Sequence, residues 1–139
     1  MSELRFIKIL SANDVGKTKS HQSGMLIPRS QPELIEALGP LDISELNPRK
    51  IVKCVDDLGT AYSFNFIYYN NKLFSVEGTR NEFRLTGTTK FFNSCGADEG
   101  DEFIVIVDAL KSYVEIKLVK QGIEVSGEPI KLSGWRKIH

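Results

Sequence analysis

A chain of 139 residues has room for one core of ordinary size, and 41% hydrophobic with 26% charged residues is the composition of a soluble globular domain. Eighteen basic residues balance eighteen acidic ones, so affinity for a polyanion has to come from where charges stand rather than from their sum. The longest apolar run, Phe103 to Val107, is far too short to span a membrane, and the amino terminus has neither the charged nor the apolar region of a secretory signal.

Apolar periodicity reads mainly as short strands. Phe6 to Leu10 is the first, followed by a long polar stretch from Ser11 to Gly24. Met25-Leu26-Ile27 resumes the strand pattern and Pro28 closes it. Gln31 to Gly39 reads as a short helix, with Pro32 in its first turn and glycine at its end. Lys50 to Val55 is a strand and Asp57-Leu58-Gly59 a turn. Ala61 to Tyr69 and Lys72 to Val76 read as a hairpin joined at Asn70-Asn71, because Asn tolerates the positive φ of tight turns. A second polar stretch, Glu77 to Glu82, leads to a brief strand at Phe83-Arg84-Leu85. Thr88 to Cys95 reads as a short helix ending at Gly96, and Asp98 to Asp101 as an acidic turn. Strands follow at Glu102 to Ala109, Tyr113 to Lys120 and Ile123 to Val125, before a looser tail to His139. The expected architecture is mostly β: a seven-stranded open pseudobarrel with two short helices, forming one domain over residues 1–139.

The two polar stretches carry the functional signal. Loops between strands usually run to about five residues, and longer ones are usually functional or disordered. In the first, Asn13, Asp14, Lys17, Thr18, Lys19, Ser20, His21 and Gln22 form a dense, basic set of donors and acceptors. In the second, Thr79, Arg80, Asn81 and Glu82, with Arg84 and Thr86 just beyond, have the same character. Arg can bond guanine O6 and N7 together, Asn or Gln adenine N6 and N7, and a carboxylate the cytosine N4 amino group. Lys, Ser and Thr serve phosphate oxygens and fix register. Either stretch alone reads better as a solvated loop; two of them on one barrel bring double-stranded-DNA recognition level with that reading, while a protein-interaction barrel stays open.

Those same residues carry a family resemblance. Ile9 to Gly16, then His21 to Pro28, resemble the start of the amino-terminal effector domain of EcoRII-type restriction endonucleases, and Thr79 to Thr86 resembles its second DNA-contacting segment. Lys90-Phe91-Phe92 with Gly96, then Glu99 to Phe103, is similar to a signature of the plant B-three DNA-binding domains. The resemblance implies a B-three-like pseudobarrel that grips duplex DNA in the major groove with an N-arm (Asn13 through Gln22) and a C-arm (Thr79 through Thr86). It further implies a CCWGG-like target (W being A or T) and a nuclease held in a separate, covalently linked domain. The isolated domain is expected to be monomeric and cytoplasmic, with no cofactor.

One enzyme reading competes. Glu115-Ile116-Lys117 matches half of a metal-dependent nuclease motif, with Asp101 or Asp108 as the partner carboxylate. Yet Tyr113, Glu115, Lys117 and Val119 alternate as one face of a strand, where opposite charges are common. His21 and His139 share no zinc spacing, and no phosphate loop or nucleophile elbow occurs. Cys54 and Cys95 supply neither a disulfide framework nor metal spacing. No catalytic or metal residues are therefore expected.

Overall fold

The structure, a computed structural model, describes residues 3–16, 24–121 and 135–138. Among these, eight strands join in one sheet: β1 (Glu3–Ile9), β2 (Met25–Ile27), β3 (Arg49–Val55), β4 (Ala61–Tyr69), β5 (Glu82–Thr86), β6 (Glu102–Asp108), β7 (Val114–Val119) and β8 (Trp135–Ile138). Their order is β2-β5-β4-β3-β7-β6-β1-β8. All neighbours are antiparallel except β3 and β7, which pair in parallel at Cys54↔Val114 and Val55↔Glu115.

Strand alternation explains the curl. Phe64, Phe66 and Tyr68 of β4, Phe83 and Leu85 of β5, Val52 and Cys54 of β3, and Phe103 and Val105 of β6 all turn to one buried side. Burying that one face rolls the sheet into a pseudobarrel whose edges are β2 and β8. Helix α1 (Pro32–Leu38) follows β2 and reaches across to β8: Gln31 Nε2 donates to the Trp135 carbonyl at 3.1 Å, and Lys137 Nζ lies 2.9 Å from Glu33. Leu34 and Leu38, one turn apart on a single helix face, are buried in the core. Helix α2 (Thr89–Ser94) closes one end with Phe91 and Phe92, whose rings lie 5.8 and 5.4 Å from that of Phe103.

Three expectations change. Lys72 to Val76 is no strand: it forms a single 3₁₀ turn at Asn71–Leu73 and a loop in which Leu73, Phe74 and Val76 are exposed. The partner of β4 is instead Glu82–Thr86, in register Asn65↔Thr86 through Tyr69↔Glu82, because Phe83 and Leu85 can bury inward and the loop's apolar residues cannot. The tail is not all loose: Trp135 to Ile138 adds a strand along Arg5 to Lys8, with Trp135 buried against Phe103. The strand expected at Ile123 to Val125 lies outside the described residues. Cys54 and Cys95 are free thiols, and burial pushes that of Cys54 up to about 12.

The acidic turn has an internal task. Asp101 is 2% exposed, and its carboxylate accepts from the N–H of Gln121 and of Asp98, both at 2.8 Å, and from Lys120 Nζ at 2.8 Å. Its backbone carbonyl receives the Leu10 N–H at 2.9 Å, which roots the first polar stretch. Burial raises this carboxyl, but the N–H groups and the Lys120 ammonium outweigh it and hold it below its ordinary 3.8. A depressed folded-state value contributes stability that is complete above the unfolded value and lost as pH falls through the folded one. Urea unfolding of wild type is therefore expected to lose stability below about pH 4 more steeply than unfolding of Asp101→Asn; parallel acid limbs would show that Asp101 is not the group responsible.

Candidate nucleic-acid interface

Both polar stretches spring from β5 or its neighbours, at opposite ends. The C-arm joins β4 to Glu82 at the start of β5. The N-arm returns to the sheet at Gly24, beside Thr86 at the end of β5, since Met25 pairs with Leu85. Glu82 and Thr86 are four residue steps apart, about 13 Å along the strand.

The C-arm is a folded loop held by two asparagines. Asn70, wholly buried, accepts the Asn47 N–H at 2.7 Å and donates to the Glu45 carbonyl at 2.8 Å, while Asn47 Oδ1 accepts the Asn70 N–H at 3.1 Å. Asn47 adopts φ 49°, a left-handed value that Asn tolerates. Asn71 Oδ1 accepts the N–H groups of Thr79 and Arg80 at 3.1 and 2.8 Å, and the Lys72 N–H meets the Arg80 carbonyl at 3.0 Å. Gly78 crosses this turn so closely that a Cβ would sit 2.2 Å from the Asn71 carbonyl oxygen.

This support fixes what the arm presents. Thr79 is exposed. The Arg80 guanidinium stacks 3.8 Å above the Tyr69 ring and donates to Glu82 Oε2 at 3.2 Å, and 36% of its side chain stays exposed. Asn81 Oδ1 accepts from the Tyr68 hydroxyl, which orients the amide, and no described residue holds its Nδ2. Glu82 Oε2 also takes Arg84 Nε, so one oxygen receives two guanidinium groups. Burial raises the Glu82 carboxyl, but hydrogen bonds and charge from Arg84 and Arg80 overcome it and hold the group below its usual range. Arg84 and Thr86 face outward by strand alternation yet are only 7% and 9% exposed. Arg84 NH1 reaches the Gly24 carbonyl at 3.3 Å and so links the two arms. Gly24, at φ +77°, leaves no room for a side chain: a Cβ would meet the Leu85 carbonyl oxygen at 2.2 Å.

At the root of the N-arm, Asp14 turns inward. Its carboxylate pairs with Lys8, the two side chains only 4% and 9% exposed, and accepts the Ser11 N–H at 2.9 Å. The Asp14 N–H returns to Ser11 Oγ at 3.2 Å, and Asn13 closes the turn by accepting the Gly16 N–H at 3.2 Å. Removing one member of a buried ion pair costs about 3–5 kcal/mol, so Asp14 is an anchor for the arm. Lys17, Thr18, Lys19, Ser20, His21 and Gln22 lie outside the described residues. The sequence reading missed the supports Asn70, Asn71, Tyr68 and Tyr69; the Asn-Asn pair was visible but read as a tight turn.

The residues of the nuclease reading are dispersed. Glu115 pairs with Lys111 across a turn, and Lys117 stands exposed opposite Ile104. Asp108 accepts the Leu110 N–H at 2.9 Å, and Asp101 is occupied as described above. Among the described residues no three His, Cys, Asp or Glu side chains cluster as a metal would need, and no helix is long and apolar enough to cross a membrane.

A family model described as Restriction endonuclease EcoRII, N-terminal, matches residues 1–115. Over 90 residues the sequence is 39% identical to the type II restriction enzyme EcoRII of Escherichia coli, a match that covers 58% of this chain and 20% of the other. The chain thus spans about a fifth of that relative. Among solved structures, the Arabidopsis FUS3–DNA complex aligns with a TM-score of 0.60 and 22% identity, covering 84% of this chain and 97% of that one. That likeness establishes a shared fold, the B-three-like pseudobarrel.

The supports of the C-arm are testable without any ligand. Asn70→Ala removes the hydrogen bonds to the half-buried Asn47 N–H and to the carbonyl of exposed Glu45, worth about 0.5–1.5 kcal/mol each, so urea unfolding is expected to show a loss of about 1–3 kcal/mol. A loss under about 0.5 kcal/mol would mean that water replaces the side chain and that the arm's shape does not rest on it.

Proposed function

The chain belongs to the family of the EcoRII amino-terminal domain, and we propose that it recognises a specific double-stranded DNA sequence in the major groove, with no catalytic step of its own. The observation that carries this reading is the pre-organised C-arm. Arg80 and Asn81 are each fixed by an aromatic residue beneath them while keeping donors free to meet a base edge. Ordering these side chains before binding removes an entropy cost that a loose loop would meet on contact.

Roles divide by exposure. Arg80 suits guanine O6 and N7, and Asn81 Nδ2 suits a purine N7. Glu82 holds both arginines through Oε2, which leaves Oε1 for a cytosine N4 amino group. Thr79 serves a phosphate. Arg84 and Thr86 lie beneath the arm and set its position, and Asp14 with Asn13 does the same for the N-arm. Lys17 and Lys19 take phosphates, with Thr18, Ser20, His21 and Gln22 completing the second set of contacts.

The roughly 13 Å between the ends of β5 corresponds to about four base-pair steps of 3.4 Å. That span suits a compact target of the CCWGG type, to which the likeness to the EcoRII branch points. Because the chain covers a fifth of that relative, we further propose that in a longer protein this domain serves as an effector for a linked nuclease. Alone it is a cytoplasmic monomer. The metal-dependent alternative is disfavoured by the separate partners of Glu115, Asp108 and Asp101.

The test is a set of duplexes varied one base pair at a time. Arg80→Ala or Asn81→Ala is expected to cost about 1–3 kcal/mol on the preferred site and to relax preference at one position. Glu115→Ala is expected to leave affinity unchanged, with no cleavage in Mg²⁺. An equal loss on every duplex would reduce Arg80 or Asn81 to a backbone contact, and metal-dependent cleavage abolished by Glu115→Ala would make the chain a nuclease.

A further inference from the structure

Most described lysines have a fixed internal task. Lys8 pairs with Asp14, Lys111 with Glu115, Lys120 with Asp101 and Lys137 with Glu33, and Lys50 Nζ donates to the Gly39 carbonyl at 2.7 Å. Four others, Lys53, Lys72, Lys90 and Lys117, are exposed and make no ion pair with any described residue, and among these Lys53 and Lys90 fall together. They come from separate elements, β3 and α2, yet converge on one place. Lys53 lies directly across the ladder from Ser63. Lys90 and Ser63 line the same shallow groove, of about 360 Å³, together with Ala61, Tyr62 and Gly87.

The groove lies on the same outer side of the sheet as the C-arm site. Ser63, Asn65, Ile67 and Tyr69 alternate outward along β4, and the Tyr69 ring carries the Arg80 guanidinium. Six residue steps separate Tyr69 from Ser63, about 20 Å or six base-pair steps. A neighbouring acidic turn marks the far limit. Asp56 Oδ1 is occupied by the N–H groups of Leu58 and Thr60 at 3.0 and 2.8 Å, and exposed Asp57 follows it.

We propose that Lys53, Ser63 and Lys90 form a shoulder that binds the sugar–phosphate backbone of duplex DNA flanking the sequence read by the arms. The inference rests on the DNA-recognition reading above and extends its footprint past the N-arm. The chemistry fits phosphate better than bases. Lysine ammonium groups are compact, rotatable point charges, a serine hydroxyl is a regular phosphate partner, and the exposed Asn65 amide, bordering the groove beside Gly87, is the one planar group at its edge. Two cations flanking one hydroxyl can hold successive phosphates of a single strand and so set the angle at which the duplex crosses the barrel.

The experiment compares wild type, the double variant Lys53→Gln/Lys90→Gln and Asn81→Ala on a duplex of about 25 base pairs with the preferred sequence at its centre. Affinity is read between about 50 and 200 mM salt, and hydroxyl-radical footprinting is run on the same duplex. Each phosphate contact contributes about 0.9 to the salt slope. The double variant should therefore lower the slope by about 1.8, so that a fourfold rise in salt weakens it about 12-fold less than wild type. Its base preference should stay intact, and protection should disappear about six base pairs to one side of the position altered by Asn81→Ala. An unchanged slope and footprint, with Asn81→Ala still relaxing preference, overturns the shoulder and leaves the arms standing. Wild type that binds no duplex overturns both.

Discussion

The guanidinium of Arg84 is the tie on which the rest of the site depends. It lies at the middle of β5, donates Nε to Glu82 at one end of the strand and NH1 to the Gly24 carbonyl toward the other. Glu82 in turn holds Arg80 over Tyr69. A single charged group therefore connects the root of the C-arm, one of its presented side chains and the point where the N-arm rejoins the sheet. The tie requires β5 to lie between β2 and β4, and that placement follows from Phe83 and Leu85 burying inward while Glu82, Arg84 and Thr86 turn outward.

Charge balance acquires a meaning from this arrangement. The chain is formally neutral, but many of its acids serve the protein itself. Asp14 anchors Lys8, Asp101 collects Lys120 and two backbone N–H groups, and Glu33 meets Lys137 on the strand beyond the helix. These acids neutralise cations at the roots of loops and at seams of the barrel, whereas Lys53 and Lys90 on the outer face make no ion pair with any described residue. A zero sum thus coexists with local positive surfaces, and distribution governs attraction to a polyanion.

Much of the fold was legible because strand alternation and helix boundaries are local signals. Phe103 to Val107, Ala61 to Tyr69 and the helix read from Gln31 to Gly39 were all visible in residue order. The misreadings share a cause. Lys72 to Val76 carries strand-like composition, but side chains of Asn70 and Asn71 bond to distant backbone and fold the segment into a loop. Trp135 to Ile138 pairs with Arg5 to Lys8 across nearly the whole chain, and no local pattern announces such a partner. For the site, residue types singled out Arg80 and Asn81, which the fold leaves part-exposed. Sequence could not separate them from Asp14 and Arg84, whose side chains are buried in ion pairs with Lys8 and Glu82 that residue order does not announce.

The central claim is that both arms, tied through Arg84, engage one duplex together. Backbone amide shift mapping on adding a duplex with the preferred sequence tests it most directly. The account predicts that amides of Thr79 to Glu82 and of Asn13 to Gly24 respond along a single binding curve, while those of Phe103 to Val107 stay still. Arg84→Met should split that curve into two of unequal affinity. Response confined to one arm, or a curve that Arg84→Met leaves unchanged, would contradict it.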